Sequence, residues 1–396
     1  MSHVKLVFSE QVNLIKNGGF EEGLTGWKSD LYKGEIDKEV VHTGKQSLKC
    51  VRTEAKSWAS WYQEGIIVEP NKHYIFGGWM KVKEVKTASY LGAFMSISVR
   101  NWRDEEIAYF VTPCLIGTSD WKEFHIFIKV PPDGDNVKIR LQFCEAVGTV
   151  WFDDIYLKPL KEPMVTPLPG IDPSIVGAWC YDGKEGKTDI LVDRSGRGNH
   201  GLIHGAKWVL TKRGYALRFR GEDYVEIPYS KELDISDELT IIAWVNVEAN
   251  YLEESPAFFL SHRIEPRESF TAIPQCGFYL QNNYLLKMLV HTEDGYRASV
   301  ATKPFPSKEW TFIAGVYGKN GKPKLYLNGE KIETKFYKKG SSKLIKVSRR
   351  RNKKPSIMIK ITGLRGTLSF LALYNRAFSE EEIREEYRKT FSLYLE

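Results

Sequence analysis

With 396 residues, the chain is long enough for two domains that each bury their own core. It carries 57 basic and 50 acidic residues, but 11 of the basic residues lie between Lys331 and Lys354, beside the single acid Glu333. The rest of the chain has 46 basic and 49 acidic residues, which argues against a protein that binds nucleic acid over its whole surface. Five widely spaced cysteines argue against a disulfide framework or a zinc site, and no apolar run could span a membrane.

Short runs rich in aromatic and β-branched residues, separated by Gly, Asn and Pro turns, fill most of the chain. We therefore predict an all-β protein of two β-sandwich (jelly-roll) domains with a short C-terminal helix. The predicted bounds are 1–160 for the first domain, 161–174 for a Pro-rich linker and 175–396 for the second domain. The few Gln residues amid many Lys, Glu and Ile are typical of a thermophile.

The first domain opens with NGGFEEGLTGW, continues with HTGKQSL and closes with VWFDDIYL. In these motifs it resembles the carbohydrate-binding modules of families 4, 9 and 22. The resemblance implies a jelly roll with a glycan cleft on its concave face and a structural Ca²⁺ away from that cleft. The implied ligands are the side chain of Glu21, main-chain oxygens near Gly44 and Lys45, and Asp153, a set of hard oxygens that suits calcium. The alternative is that these acids only cap turns and face water.

Alternation along the strands predicts which side chains line the cleft. In the run 137–143, four apolar residues point one way while Lys138, Arg140 and Gln142 point the other. The same reasoning in two other runs leads us to expect one shared sheet face, completed by a neighbouring aromatic run. Flat rings and planar hydrogen-bonding groups suit sugars, although a Trp in a strand is often a core residue. The predicted ligand-binding residues are Trp58, Trp61, Tyr62, Gln63, Trp79, Arg100, Trp102, Arg140 and Gln142.

The second domain contains DRSGRGNHG, GEDYVEIPYS, LTIIAWV, WTFIAGVYG with KLYLNGE, and LALYNRAFSEEEI. In these motifs it resembles the laminin-G-like domains of the concanavalin A-like lectin and glucanase fold, which serves lectins, adhesion modules, enzymes and spacers. Relatives often carry calcium-binding acids where this chain has Leu368, Ser369 and Phe370, so we assign no calcium here even though Asp193 and Asn199 remain.

Two local patterns complete the second domain. Ser379 and Glu382 form a capping-box pattern that predicts the start of the C-terminal helix. The basic stretch 331–354 is best interpreted as a solvated, Lys-fringed edge. The alternative is a site for a polyanion such as an acidic polysaccharide, a wall polymer or nucleic acid.

Catalytic signatures are sparse: we find no HExxH motif and no nucleophile elbow, and the lectin-like second domain has no Glu-x-Asp-x-Glu strand of the kind that glucanases of this fold use. We therefore expect a non-catalytic protein that binds a polysaccharide or a cell-surface glycan. One form of this hypothesis is a phage or viral structural component (tail, fibre or capsid-decorating), which would be released by lysis because no signal peptide is seen. The alternatives are a polysaccharide lyase or hydrolase and a purely structural, protein-binding module. Protein partners and oligomers fit the hypothesis, whereas membrane and nucleic-acid partners are not expected.

Overall fold

The computed structural model describes residues 12–30, 33–55, 60–87, 91–160, 172–180, 189–212, 214–228, 230–233, 235, 237–248, 257–262, 273–280, 284–292, 295–339, 358–362 and 364–395. Trp58, most of the linker and residues 340–354 of the basic stretch lie outside these ranges. No helix in the described part of the chain is long and apolar enough to cross a membrane.

The first domain is a sandwich of two five-stranded antiparallel sheets. Sheet A has the strand order β1-β4-β9-β6-β7, and sheet B has the order β2-β3-β10-β5-β8. The strands are β1 Lys28–Asp30, β2 Gly34–Asp37, β3 Ser47–Arg52, β4 Ser60–Ile67, β5 His73–Thr87, β6 Ala93–Arg100, β7 Glu106–Val111, β8 Gly117–Lys129, β9 Asn136–Phe143 and β10 Ala146–Pro159.

Strand alternation builds the core of this sandwich. In β9, the side chains of Val137, Ile139 and Leu141 are buried between the sheets, together with Phe76 and Phe152 of sheet B. Because successive residues of a strand point to opposite faces, the polar residues of β9 must face away from the core. The core therefore determines which surface of sheet A is available for a ligand.

The opening NGGF motif is held against a bulge in β10. The register of β10 shifts between Asp153 and Tyr156, and Asp154 has a positive φ of 49°. The amide of Ile155 donates to the carbonyl of Gly18, and Asn13 uses its side-chain amide to bridge the backbones of Ile155 and Leu157. The bulge therefore ties the start of the domain to its last strand.

The second domain contains an eight-stranded and a nine-stranded sheet. Sheet C has the order β14-β15-β27-β17-β22-β23-β24, with β11 also paired to β27, and sheet D has the order β12-β13-β16-β26-β18-β19-β20-β21-β25. The strands are β11 Ile175–Trp179, β12 Ile190–Leu191, β13 Gly201–His204, β14 Lys207–Thr211, β15 Gly214–Arg220, β16 Tyr224–Pro228, β17 Leu239–Val247, β18 Ala257–His262, β19 Ile273–Leu280, β20 Leu285–Thr292, β21 Gly295–Pro304, β22 Trp310–Tyr317, β23 Lys324–Leu327, β24 Glu330–Lys331, β25 Thr334–Lys339, β26 Met358–Thr362 and β27 Arg365–Tyr374.

Helix α1, Glu380–Leu395, covers the outer face of sheet C. Its start is the predicted capping box: the Ser379 amide donates to the Glu382 carboxylate, and the Glu382 amide donates to Oγ of Ser379. The indole of Trp244 donates to Thr390 of the helix at 2.8 Å. The predicted fold class, two β sandwiches followed by a short helix, is confirmed.

The two domains contact each other through the outer face of sheet B. Leu202 of β13 packs against Ile75 and Phe127 of the first domain. Beside this apolar contact, Nζ of Lys129 donates to the carbonyl of Arg197 at 2.8 Å. The contact covers part of the outer face of sheet B.

A stack of rings extends this contact. The imidazole of His125 stacks on that of His204 at 5.1 Å between ring centroids, and His204 stacks on Tyr224 at 4.2 Å. Burial lowers the pKa of His125, and the neighbouring His204 lowers it further. His125 therefore remains neutral at neutral pH, and the two imidazoles can stack without charge repulsion.

Candidate functional site

The outer face of sheet A brings polar and aromatic side chains of four strands together. Lys138, Arg140 and Gln142 point outward from β9 because their neighbours in the strand are core residues. Tyr62 of β4 lies directly opposite Arg140 on one side, and Ser96 of β6 lies opposite it on the other. We call this surface the sheet A face.

A hydrogen-bond network fixes the centre of the sheet A face. Oε1 of Gln142 accepts from Oγ of Ser96 at 2.7 Å and from the hydroxyl of Tyr109 at 3.1 Å. Burial raises the pKa of Tyr109 to about 12, so its hydroxyl stays protonated and can donate. Gln142 and Ser96 are both buried, so the network is held rigid from below.

Arg140 is the cation at the centre of this face that retains free hydrogen-bonding capacity. Its Nη1 donates to Oγ of Ser98 in a long bond of 3.4 Å. Among the described residues it has no carboxylate partner, and it is only partly buried. A guanidinium has five N–H donors in one plane, so most of them remain available to ligand oxygens.

The rim of the sheet A face beside β1 is charged. Nζ of Lys138 lies 3.7 Å from the ring centroid of Tyr62 and 2.9 Å from the carboxylate of Glu64, which also pairs with Lys28 at 3.1 Å. The hydrogen bond from Lys138 is the main reason that the pKa of Glu64 is lowered. Glu64 is therefore ionised at neutral pH, and its charge is balanced by two lysines.

The predicted ligand-binding residues do not all lie on one surface of the structure. Tyr62, Arg140 and Gln142 share the sheet A face, and Arg100 lies at the end of β6, where it pairs with Asp104 at 2.5 Å. Trp102 lies in the turn after β6 and is 74% exposed.

Two residues of the predicted cleft point into the domain instead of outward, and for them the prediction is wrong. Trp61 is buried in the core between the sheets, and the side-chain amide of Gln63 bonds both backbone groups of Lys16. Tyr62 lies between them in β4, so alternation sends Tyr62 outward and its two neighbours inward. These two residues support the sandwich and do not line the cleft.

Trp79 was expected on the same face and lies on the other sheet. It belongs to β5, which pairs with β8 and β10 of sheet B. There its indole stacks on His42 at 3.8 Å between ring centroids. Alternation indicates which side of a strand a residue occupies, but it does not indicate to which sheet the strand belongs.

Tyr109 is a residue of the sheet A face that sequence reasoning missed; alternation did place Ser96 and Ser98 outward, but they were not among the predicted ligand-binding residues. Tyr109 lies in β7, where Ala108 and Phe110 on either side of it are core residues. Alternation in the run EIAYFV therefore predicts that Tyr109 points away from the core.

The residues expected to bind calcium lie in two neighbouring turns. The carboxylate of Glu21 accepts from the amides of Lys45 and Gln46, at 2.7 and 3.1 Å. The carboxylate of Asp153 is fully buried and accepts from the amides of His42 and Asp154, at 2.9 and 2.8 Å. Burial raises the pKa of Asp153 to about 6, although these hydrogen bonds oppose the shift.

This donor set fits a calcium ion only in part. Carboxylate oxygens of Asp153 and Asp154 lie on the same side of Gly19, within 4 Å of the position that a Cβ would take there. Glu21 instead lies against Gly44. Across the described ranges, no three His, Cys, Asp or Glu side chains are grouped so that they could hold a metal ion. A calcium ion would therefore depend largely on main-chain oxygens.

In the second domain, the carboxylate of Asp193 holds a loop together through several hydrogen bonds. Its buried carboxylate accepts from the amides of Ala178, Ser195 and Asn199 and from the Ser195 hydroxyl, all between 2.8 and 2.9 Å. The side-chain amide of Asn199 donates to the carbonyl of Val176 at 2.7 Å. These contacts give Asp193 and Asn199 a structural role.

Comparison with known proteins gives a match for each domain. Residues 12–145 match the family model described as a carbohydrate binding domain, and residues 219–384 match the concanavalin A-like lectin/glucanases superfamily. Two curated relatives, the tRNA(Glu)-specific nuclease WapA of Bacillus subtilis subsp. natto (strain BEST195) and the tRNA nuclease WapA of Bacillus subtilis (strain 168), are 24% identical over 166 residues. Each match covers 38% of this chain and only 7% of the relative's length.

Three solved structures are among those that are similar to this chain. The CBM22-1 xylan-binding domain of Xyn10C from Paenibacillus barcinonensis is 20% identical, with coverage of 39% of this chain and 97% of that domain at a TM-score of 0.30. The binding domain of Paraclostridial Mosquitocidal Protein 1 is 17% identical over 55% of this chain and 52% of that one, with a TM-score of 0.40. The enzymatically active domain of tailspike protein 4 from bacteriophage CBA120 is 16% identical over 37% of this chain and 21% of that one, with a TM-score of 0.33. The two family resemblances drawn from the sequence are confirmed by the family models.

Proposed function

Because the chain joins a carbohydrate-binding domain to a concanavalin A-like lectin domain, we propose that it is a non-catalytic glycan-binding protein with its sugar site on the sheet A face. The observation that carries the proposal is Arg140, which lies at the centre of an aromatic, hydrogen-bonded sheet face with most of its donors unused. Sugars offer hydroxyl oxygens to such donors and flat C–H patches to aromatic rings.

The side chains of the face have distinct roles in this proposal. Arg140 donates to sugar hydroxyls, and the ring of Tyr62 beside it offers an apolar surface. Gln142 uses its Oε1 on Ser96 and Tyr109 and therefore acts as a positioning residue. A rigid network under the ligand lowers the entropy lost on binding.

The ionisation of Glu64 supports the non-catalytic part of the proposal. Glycoside hydrolysis requires a carboxylic acid with a raised pKa that donates a proton to the leaving oxygen. The pKa of Glu64 is lowered by its lysine partners, so this residue of the rim is a poor general acid. Turnover of an oligosaccharide that is lost on replacing an acid of this face would contradict the proposal.

The Arg140→Ala variant tests where the sugar site lies. We expect glycan affinity on an array, followed by titration with the best ligand, to fall by about tenfold or more, since hydrogen bonds to a charged group contribute about 1.5–3 kcal/mol each. Arg103→Ala removes the same charge from the exposed turn after β6 and should leave affinity unchanged.

A second variant distinguishes a sugar site on sheet A from one on sheet B. Trp79→Ala should also leave glycan affinity unchanged, because Trp79 lies on sheet B. If Trp79→Ala abolishes binding and Arg140→Ala does not, the site lies on sheet B and the proposal is wrong. Thermal unfolding of each variant confirms that the domain is still folded.

We also propose that the turns of Glu21 and Asp153 hold a structural calcium ion, supported by the oxygens of Asp153 and Asp154 that converge near Gly19. A ligand at about 100 times its Kd stabilises the native state by about 2.7 kcal/mol. Chelator should therefore lower the unfolding temperature of the first domain by about 5–10 °C. Glu21→Gln should remove this dependence, whereas the exposed neighbour Glu22→Gln should retain it. An unfolding transition that chelator does not move would contradict the site.

For the biological setting we keep the hypothesis of a virion component that is released by lysis. Its support is the sequence, in which five widely spaced cysteines without a pair motif suit assembly in a reducing compartment. Capsid or tail genes beside this gene are the expected finding, and a neighbourhood without them would count against the hypothesis.

A further inference from the structure

The outer face of sheet D carries a group of cations in the interior of the sheet. In β20, Leu286, Met288 and Val290 belong to the core between sheets C and D. Lys287 and His291 must therefore point away from the core. β20 lies two strands inside the edge strand β25.

Cross-strand pairing continues this face to the edge of the sheet. Lys287 is paired with Val300 of β21, which is paired with Lys335 of β25. One row further along, His291 is paired with Tyr296, and Tyr296 with Lys339. Residues paired in this way share a face. We define the basic face as Lys287, His291, Tyr296, Lys335, Tyr337 and Lys339.

A third row of residues lies between the two rows of the basic face. Leu289, Ala298 and Tyr337 are paired across the three strands between the two outer rows. Ala298 is buried, whereas the rings of Tyr296 and Tyr337 are 36% and 50% exposed. Exposed aromatic rings therefore lie between the lysines of the two outer rows.

The lysines of the basic face lack a carboxylate partner among the residues that the structure describes. Within the described ranges, Lys287, Lys335 and Lys339 form no ion pair with a carboxylate. Glu333 lies just before β25 and bonds the hydroxyl of Thr302, outside the three rows. Clustered cations without counterions attract a polyanion.

Protection of a sheet edge explains only part of this arrangement. Exposed lysines on β25 would keep the edge from pairing with another chain. Lys287, however, is an interior residue that is partly buried, with Nζ 5.6 Å from the ring centroid of Tyr279. A partly desolvated cation that contacts a ring but has no carboxylate partner among the described residues costs stability and does nothing for the edge, so it points to a ligand.

The pKa values of Lys287 and His291 show which residues carry the positive charge of this face. Burial lowers the pKa of Lys287, and burial together with Lys287 lowers the pKa of His291 to about 4. His291 is therefore neutral at neutral pH, and the positive charge of the face comes from its lysines.

We propose that the basic face of the second domain binds an anionic polysaccharide, with Lys287, Lys335 and Lys339 pairing with its acidic groups and Tyr296 and Tyr337 contacting its rings. The exposed tyrosines and the lectin-like fold of this domain favour a polysaccharide over nucleic acid. This site is distinct from the sheet A face and gives the protein two glycan-binding surfaces.

The test compares two double variants that lose the same charge. Lys287→Gln with Lys335→Gln alters the basic face, whereas Lys322→Gln with Lys338→Gln removes two lysines on the other side of β25, where Lys322 lies over Phe336. Polygalacturonate is the probe, at an ionic strength of about 0.15 M, which screens distant charges. All proteins carry Arg140→Ala, which suppresses a contribution from the sheet A face.

We expect polygalacturonate affinity to fall about tenfold or more in the first double variant and less than about threefold in the second. Neutral dextran should not bind this face. Equal losses in the two double variants would show a non-specific charge effect and overturn the proposal. Tighter binding of single-stranded poly-dT than of polygalacturonate would also overturn it, in favour of nucleic acid. A failure of Arg140→Ala to affect neutral glycans would contradict the sheet A site alone.

Discussion

Replacing Asp193 with Ala should destabilise the second domain by about 4 kcal/mol. The carboxylate is the acceptor for three backbone amides, those of Ala178, Ser195 and Asn199. All three would lose their partner in a region that water does not reach, and each unsatisfied buried group costs about 1–3 kcal/mol. The second thermal transition should fall by about 8–16 °C, which calorimetry of the whole protein would measure.

The matched control for Asp193→Ala is Glu385→Ala. Glu385 is exposed on helix α1, so its loss should change stability by less than about 0.5 kcal/mol. Asp193→Asn keeps one acceptor oxygen and should have an intermediate effect. A small effect of Asp193→Ala would show that the loop it organises contributes little to folding.

The sequence could predict local patterns well because they depend on neighbours along the chain. Alternation in β9 predicted that Arg140 and Gln142 face outward, and the capping box predicted the start of α1. Each prediction rests on a few consecutive residues whose geometry is fixed by strand or helix period.

The parts that the sequence could not predict depend on which strands become neighbours. Trp79 lies on sheet B because β5 is placed between β8 and β10, a pairing set by contacts far apart in sequence. Lys287 lies outside the basic stretch in the sequence, yet the order β20-β21-β25 places it on one face with Lys335. The register of pairing, and not local composition, produces both results.

The role of Asp193 illustrates a third limit. The motif DRSGRGNHG identified the fold of the second domain, and its acid could equally have been a metal ligand. Only the amides that surround the carboxylate show that it organises the loop. In the same loop, the carbonyl of Arg197 accepts a hydrogen bond from Lys129 of the first domain. The loop that Asp193 organises therefore also supports the contact between the domains.

The two adjacent glycines of the NGGF motif should differ strongly in the stability that an added methyl group costs. A Cβ on Gly18 would lie 2.0 Å from the carbonyl oxygen of Ile155, whereas the nearest atom to a Cβ on Gly19 is 3.5 Å away. The backbone at Gly18 cannot move aside, because its carbonyl accepts the amide of Ile155 in the bulge of β10. Gly18→Ala should therefore cost about 3 kcal/mol or more, as overpacked sites do.

Gly19→Ala serves as the control with the same change in composition. Its cost should be below about 1 kcal/mol, since alanine also reduces the entropy of the unfolded chain. Both variants are measured by denaturant unfolding of the first domain in chelator, so that the proposed calcium ion does not contribute. Equal effects of the two substitutions would mean that the opening segment is not fixed against β10. The expected difference would instead show that the bulge, and the close approach that only glycine permits, anchors the first domain.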